Sequence, residues 1–191
     1  DFSPDGQWLY YTANDQGEFA QLRRVNLGSW EHEPVRSADW DIVAAYFSKG
    51  GKYMAVATNV DGSTQVKLYD AATGAEQALP ALPAGDIRGL RISDSEKRMA
   101  FYLNGDRQPN DLYVLEFGGE PVQLTTSLNP AIDPADLVDS SVVRFKSFDG
   151  MEIPNILWKP HQATAEAKAP ALVWVHGGPG GGTDPSMARY F

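Results

Sequence analysis

The chain has no cysteine, only three histidines and no excess of basic charge. Without cysteine, disulfides, thiol nucleophiles and zinc–thiolate sites are excluded together, although the compartment stays open. The balance is 16 basic to 25 acidic residues, a formal charge of −9. Acidic side chains are scattered rather than run together, which describes a solvated acidic surface. No basic stripe is present to neutralise phosphates, so a nucleic-acid partner is not expected. The longest uncharged apolar run, Ala169 to Val175, falls far short of the roughly 20 residues a membrane span needs, so no membrane is expected.

Turn-forming residues are abundant. The 18 glycines and 13 prolines make up about 16% of the 191 residues, against roughly 12% in average usage, so turns are frequent and long helices improbable. Apolar residues reach 42%, enough for a packed core. The first residues are Asp1-Phe2-Ser3-Pro4-Asp5-Gly6 rather than Met or a signal peptide, and the chain reads as a piece of a longer protein. Before Leu128 there are 11 basic and 18 acidic residues, a charge of −7; the remainder carries −2.

Self-similarity organises the first two thirds of the chain. Phe2-Ser3-Pro4-Asp5-Gly6-Gln7-Trp8-Leu9-Tyr10-Tyr11 recurs 45 residues on as Phe47-Ser48-Lys49-Gly50-Gly51-Lys52-Tyr53-Met54-Ala55-Val56. It recurs after another 45 as Ile92-Ser93-Asp94-Ser95-Glu96-Lys97-Arg98-Met99-Ala100-Phe101. Each copy is an apolar residue, a polar turn and a strand. A second strand is expected at Gln21 to Leu27, Gln65 to Asp70 and Asp111 to Phe117. The turns before them hold Asn14-Asp15-Gln16-Gly17, Asp61-Gly62-Ser63 and Asn104-Gly105-Asp106, residues that tolerate positive φ and form hairpins. Further turns at Ala72-Thr73-Gly74 and Gly118-Gly119 lead into short outer strands. Four short strands per 45 or so residues match a β-propeller blade, with a β-sandwich as the competing reading. The turn aspartates are read as turn chemistry rather than calcium ligands; no metal and no cofactor are expected. The blades resemble those of Tol-B-like and dipeptidyl-peptidase-like propellers, whose turns carry Phe-Ser-Pro-Asp-Gly; only the first copy shows that turn in full.

The repeat stops around Ser127 to Asp139, a connector with a short turn near Ala135-Asp136-Leu137. Val142 to Phe148 and Met151 to Trp158 then read as a hairpin joined at Asp149-Gly150. A polar, proline-bounded loop covers 159–170. Ala171-Leu172-Val173-Trp174-Val175 is apolar throughout, the pattern of a strand buried on both faces of a parallel sheet. It runs into His176-Gly177-Gly178-Pro179-Gly180-Gly181-Gly182. Glycines let backbone N–H groups approach and surround a developing negative oxygen, the requirement of acyl-transfer catalysis. Neither phosphate-loop nor dinucleotide-loop spacing fits this segment.

Together these features resemble the prolyl oligopeptidase family of serine peptidases, in particular its acylaminoacyl-peptidase-like and dipeptidyl-peptidase-like members. The entry into that family's hydrolase domain is similar to Val143 to Pro154, and its oxyanion loop to Ala171 to Gly181. The resemblance implies a mainly β fold: a partial β-propeller over 1–128, a connector over 129–141, and the first strands of an α/β-hydrolase domain over 142–191. It implies hydrolysis of short peptides by a Ser-His-Asp triad. Carried over by position, Gly178 would present its N–H to the oxyanion, with Gly177 and His176 holding the turn. The triad has no match in the chain, which alone is expected to be inactive and poorly stable because an open propeller exposes strand edges. Ser3 and Ser186 lack a nucleophile's context, and His32 and His161 read as surface residues. The loop through Arg189-Tyr190-Phe191 also resembles proline iminopeptidases, α/β-hydrolases that lack the blades. A propeller that binds partners without catalysis is the third reading.

Overall fold

The computed structural model describes residues 1–83, 85–175 and Gly177. The 45-residue repeat folds as three antiparallel sheets, each one blade. Blade 1 holds β1 (Trp8–Ala13), β2 (Gln21–Asn26) and β3 (His32–Arg36) in that order. Blade 2 holds β4 (Ile42–Phe47), β5 (Tyr53–Val60), β6 (Ser63–Asp70) and β7 (Glu76–Gln77). Blade 3 repeats this with β8 (Asp86–Ile92), β9 (Arg98–Gly105), β10 (Gln108–Glu116) and β11 (Pro121–Gln123). The chain is mainly β and its architecture is that of propeller blades.

Strand alternation explains how the blades stack. In β5, Tyr53 and Ala55 point into a core shared with blade 3, alongside Met99, Phe101, Leu103, Tyr113 and Leu115. Met54 and Val56, on the opposite face, join Leu22, Ile42 and Tyr69 against blade 1. A central blade is therefore apolar on both faces, which is why β5 opens as a continuous apolar run. Phe101, Leu103 and Leu115 are fully buried, each contributing about 1.5–3 kcal/mol through removal from water.

The turn leading into β1, β5 and β9 shows how the repeat is encoded. The backbone N–H of Ser3, Ser48 and Ser93 donates to the carbonyl of Trp8, Tyr53 and Arg98 respectively, each at 2.9 Å. The serine hydroxyl accepts the N–H of that same residue. Three residues after each serine the backbone is left-handed: Gly6 has φ 68°, Gly51 79° and Glu96 55°. Glycine bears this conformation freely, whereas Glu96 bears it at a cost of roughly 1–2 kcal/mol.

Three strands escape the sequence reading. β3 has no counterpart in it, and β4 and β8, the first strands of their blades, are marked by the repeat only at their final residues, Phe47 and Ile92. The blade 3 hairpin also turns later than expected: β9 extends through Gly105, and Asp106-Arg107 forms the loop. In blade 2 the turn is where the sequence puts it, with Asp61 at φ 54° and Gly62 at 85°.

Beyond blade 3 a 3-10 turn, Pro134–Asp136, is capped by the Asp133 side chain. The expected hairpin follows as β12 (Ser140–Lys146) and β13 (Glu152–Trp158), paired from Ser140↔Trp158 to Lys146↔Glu152. Its loop is a turn closed by Gly150 N–H to Ser147 O, with Gly150 at φ 88°. That is a three-residue loop with a left-handed glycine rather than the two-residue Asp-Gly turn. Residues 159–170 form a loop, as expected. The expected strand at 171–175 is not formed: these residues carry no strand pairing, and Leu172 and Val173 are exposed. A strand buried on both faces needs neighbours in its sheet and layers above and below, and among the described residues none of these surrounds it.

Candidate functional site

The opposite end of the blades from the Ser3, Ser48 and Ser93 turns receives the β12–β13 hairpin. Two aspartates at equivalent places, Asp61 in blade 2 and Asp106 in blade 3, hold it. One terminal nitrogen of Arg144 donates to both carboxylate oxygens of Asp61 at 2.6 Å. Asp106 accepts from the Ser140 backbone N–H at 2.7 Å and from the Trp158 indole N–H at 2.5 Å. Arg107 donates to the Pro134 carbonyl at 2.7 Å and lies 3.8 Å from Asp139. The Asp61 carboxylate, hydrogen-bonded and opposite in charge, raises the Arg144 pKa above its ordinary value. The turn aspartates thus do more than form turns: they dock the next unit. Sequence spacing carries this signal, since Asp61 and Asp106 are 45 residues apart, but nothing local tells which side chain they meet.

A cleft of about 260 Å³ opens at this junction, lined by Ser63, Gly85, Asp106, Arg107, Asp139 and Ser140. Its arginine and both aspartates are engaged in the docking contacts, so it presents polar walls but no nucleophile paired with a base. A larger groove of about 500 Å³ follows β6 and β7 towards Ile87, with Lys67 and Glu76 bridged across it at 3.1 Å.

Of the oxyanion-loop residues, His176 and Gly178 lie outside the described residues, as does Ser186. Gly177 is exposed, and a Cβ built there meets nothing within 4 Å. The described residues therefore do not bring the loop into a site. Ser3 is spent on its turn, its hydroxyl donating to Asp5 at 2.5 Å while accepting from the Trp8 N–H. His32 pairs with the Tyr11 hydroxyl at 2.7 Å on the surface, and His161 is exposed in the 159–170 loop. Burial pushes the Tyr46 hydroxyl upward, and it finds no partner among the described residues, so it stays protonated near neutral pH. Among the described residues no cluster of His, Cys, Asp or Glu is arranged for a metal, and no helix is long and apolar enough to cross a membrane.

No family model and no curated protein matches the chain. Among solved structures it is similar to puromycin hydrolase, at 18% identity over 85% of this chain and 25% of that one, with a TM-score of 0.66. It is similar to prolyl oligopeptidase B from Galerina marginata bound to a 35mer hydrolysis and macrocyclization substrate, at 19% identity over 79% and 22% of the two chains, TM-score 0.64. TolB from Acinetobacter baumannii gives 18% identity, 81% and 42% coverage, and a TM-score of 0.52. The chain spans about a quarter of the peptidase structures it matches. At these identities the likeness is one of fold: propeller blades of the kind that prolyl oligopeptidases and TolB carry.

Proposed function

We propose that this chain belongs to a serine peptidase of the prolyl-oligopeptidase type that hydrolyses short peptides. The observation carrying the reading is the order of parts: stacked blades, a connector, a hairpin docked on the blades through Asp61 and Asp106, then the 171–182 segment with its glycine loop. In this reading residues 1–128 are propeller, 129–141 connector and 142–191 the opening of the hydrolase domain. The subfamily is acylaminoacyl-peptidase-like or dipeptidyl-peptidase-like. The Gly178 N–H supports the tetrahedral oxyanion, Gly177 and His176 shape its loop, and the Ser-His-Asp triad lies beyond this chain. Serine attack forms an acyl-enzyme, histidine carries the proton to the leaving amine, and water releases the acyl group.

A second reading, in which the blades are a binding module without catalysis, rests on the blades themselves, whose described clefts hold no nucleophile paired with a base. One experiment separates the two. The full-length protein is treated with a fluorophosphonate probe and assayed on blocked Gly-Pro and aminoacyl arylamides. Covalent labelling of one serine together with arylamide release supports the peptidase. A folded full-length protein that does neither overturns it.

A further inference from the structure

The outer edge of blade 2 is open where that of blade 3 is closed. Met54 faces Tyr69 in blade 2 and Met99 faces Leu115 in blade 3, so Val66 and Leu112 hold the same place in their strands. Both backbone groups of Leu112 are met from the outer side. Its carbonyl accepts the Leu124 N–H at 2.7 Å, and its N–H donates to the Thr125 hydroxyl at 2.8 Å. In blade 2 the outer strand β7 reaches only Leu68 and Tyr69. The Asp70 N–H donates outward to the Ala75 carbonyl, and the alternation of an antiparallel ladder turns the N–H and carbonyl of Val66 the same way. Counting from β7, Leu79 and Pro80 stand where blade 3 has Leu124 and Thr125. Pro80 has neither a hydroxyl nor an N–H to offer, and residues 78–83 form no strand. Among the described residues no hydrogen bond meets Val66 on this edge.

The groove of about 500 Å³ runs along this edge, with Leu79, Leu82 and Ile87 as its apolar wall. It is not confined to the blade. Ser63 and Gly85 line it and also line the cleft where the β12–β13 hairpin docks, so the two are continuous. We propose that the groove binds one extended segment of a peptide substrate, added antiparallel to β6 opposite Val66 and leading towards the blade–hairpin junction. The identity of the peptide as substrate rests on the peptidase reading. The segment residue opposite Val66 exchanges two backbone bonds with it, as in other cases of strand addition. Its side chain shares the face of Val66, where Leu79, Leu82 and Ile87 also pack on the core between blades 2 and 3, so an apolar residue is selected there. The residues on either side of it share the face of Gln65 and Lys67, both exposed, and are polar. The space suffices, since pockets of about 300–1,000 Å³ hold ligands of this size.

The test uses the full-length protein with acetyl-Thr-Leu-Thr-amide at millimolar concentration, and reads hydrogen exchange over 63–69 by mass spectrometry. Binding read in this way needs no catalysis, so its failure is distinct from failure of the peptidase reading. The expected result is exchange of one amide in this segment slowed at least about fivefold by the peptide. A peptide with N-methyl leucine, which lacks the ladder donor, and one with aspartate in place of leucine should both give no protection. The first peptide should also raise the KM for an octapeptide substrate, but not that for an aminoacyl arylamide, which is too short to reach the groove. Unchanged exchange over 63–69, or equal protection by the N-methyl peptide, overturns the proposal. So does an octapeptide KM that stays fixed while the segment is protected.

Discussion

Glu96 joins two blades through a contact that a pair of substitutions can exchange for a local one. In blade 1 the turn is closed from within: Asp5 accepts the Ser3 hydroxyl at 2.5 Å and the Gln7 N–H at 3.0 Å. In blade 2 the equivalent residue is Gly50, and the carboxylate comes from blade 3. Glu96 accepts the Ser48 hydroxyl and, at 3.0 Å, the Lys52 N–H. Gly50 must be glycine for this, since a Cβ there would lie 2.6 Å from the Glu96 carboxylate. Glu96→Ala removes two charge-assisted bonds at a partly exposed site, costing about 1–2 kcal/mol. Glu96→Gly loses the same bonds but relieves the left-handed backbone, and should be roughly 0.5–1 kcal/mol more stable than the alanine variant after glycine's entropy is counted. Gly50→Asp alone drives two carboxylates together and costs at least about 1 kcal/mol. Combined with Glu96→Gly it rebuilds the blade 1 arrangement. Urea unfolding followed by tryptophan fluorescence should then give a favourable coupling of about 1–2 kcal/mol between the two sites. Additivity within about 0.5 kcal/mol would refute the carboxylate exchange.

The same contact sets a pH dependence. Its hydrogen bond from Ser48 lowers the Glu96 pKa below 4.5, so its stabilisation is full above that value and is lost as pH falls through the lower folded pKa. The chain should therefore lose more stability between about pH 5 and 3 than Glu96→Gln does, as read by Tm against pH. Hairpin docking should appear in a double-mutant cycle of Asp61→Asn and Arg144→Gln as a favourable coupling that shrinks in 1 M salt. Buried Asp111 accepts from the Ser127 N–H at 2.7 Å, the Thr125 hydroxyl at 3.0 Å and the Gln123 amide at 3.1 Å. Asp111→Ala strands those donors and should cost roughly 3 kcal/mol in urea unfolding, with no comparable loss for Asp133→Ala on the exposed connector.

What the sequence determined by itself is the local chemistry that repeats. Serine at the start of a turn, a left-handed residue three on (glycine in two copies, Glu96 in the third), and a strand after it are interactions within a few residues, so spacing alone located β1, β5 and β9. Asp149-Gly150 fixed the hairpin in the same way, although the loop closed with one residue more than the dipeptide suggests. Strands β4 and β8 were harder to see. Their bulges break the period of two, and their Asp-Ile openings act on the preceding blade rather than on their own neighbours. The apolar run at 171–175 read as a buried strand because apolarity records a demand for burial, not the presence of a sheet to meet it. The tertiary structure alone decided that the Glu96 carboxylate serves a turn 48 residues earlier, and that Asp61 reaches Arg144 across 83 residues. Such pairs exist only after the blades have stacked, because apolar packing between sheets, not the turns themselves, sets which edges come within hydrogen-bond reach.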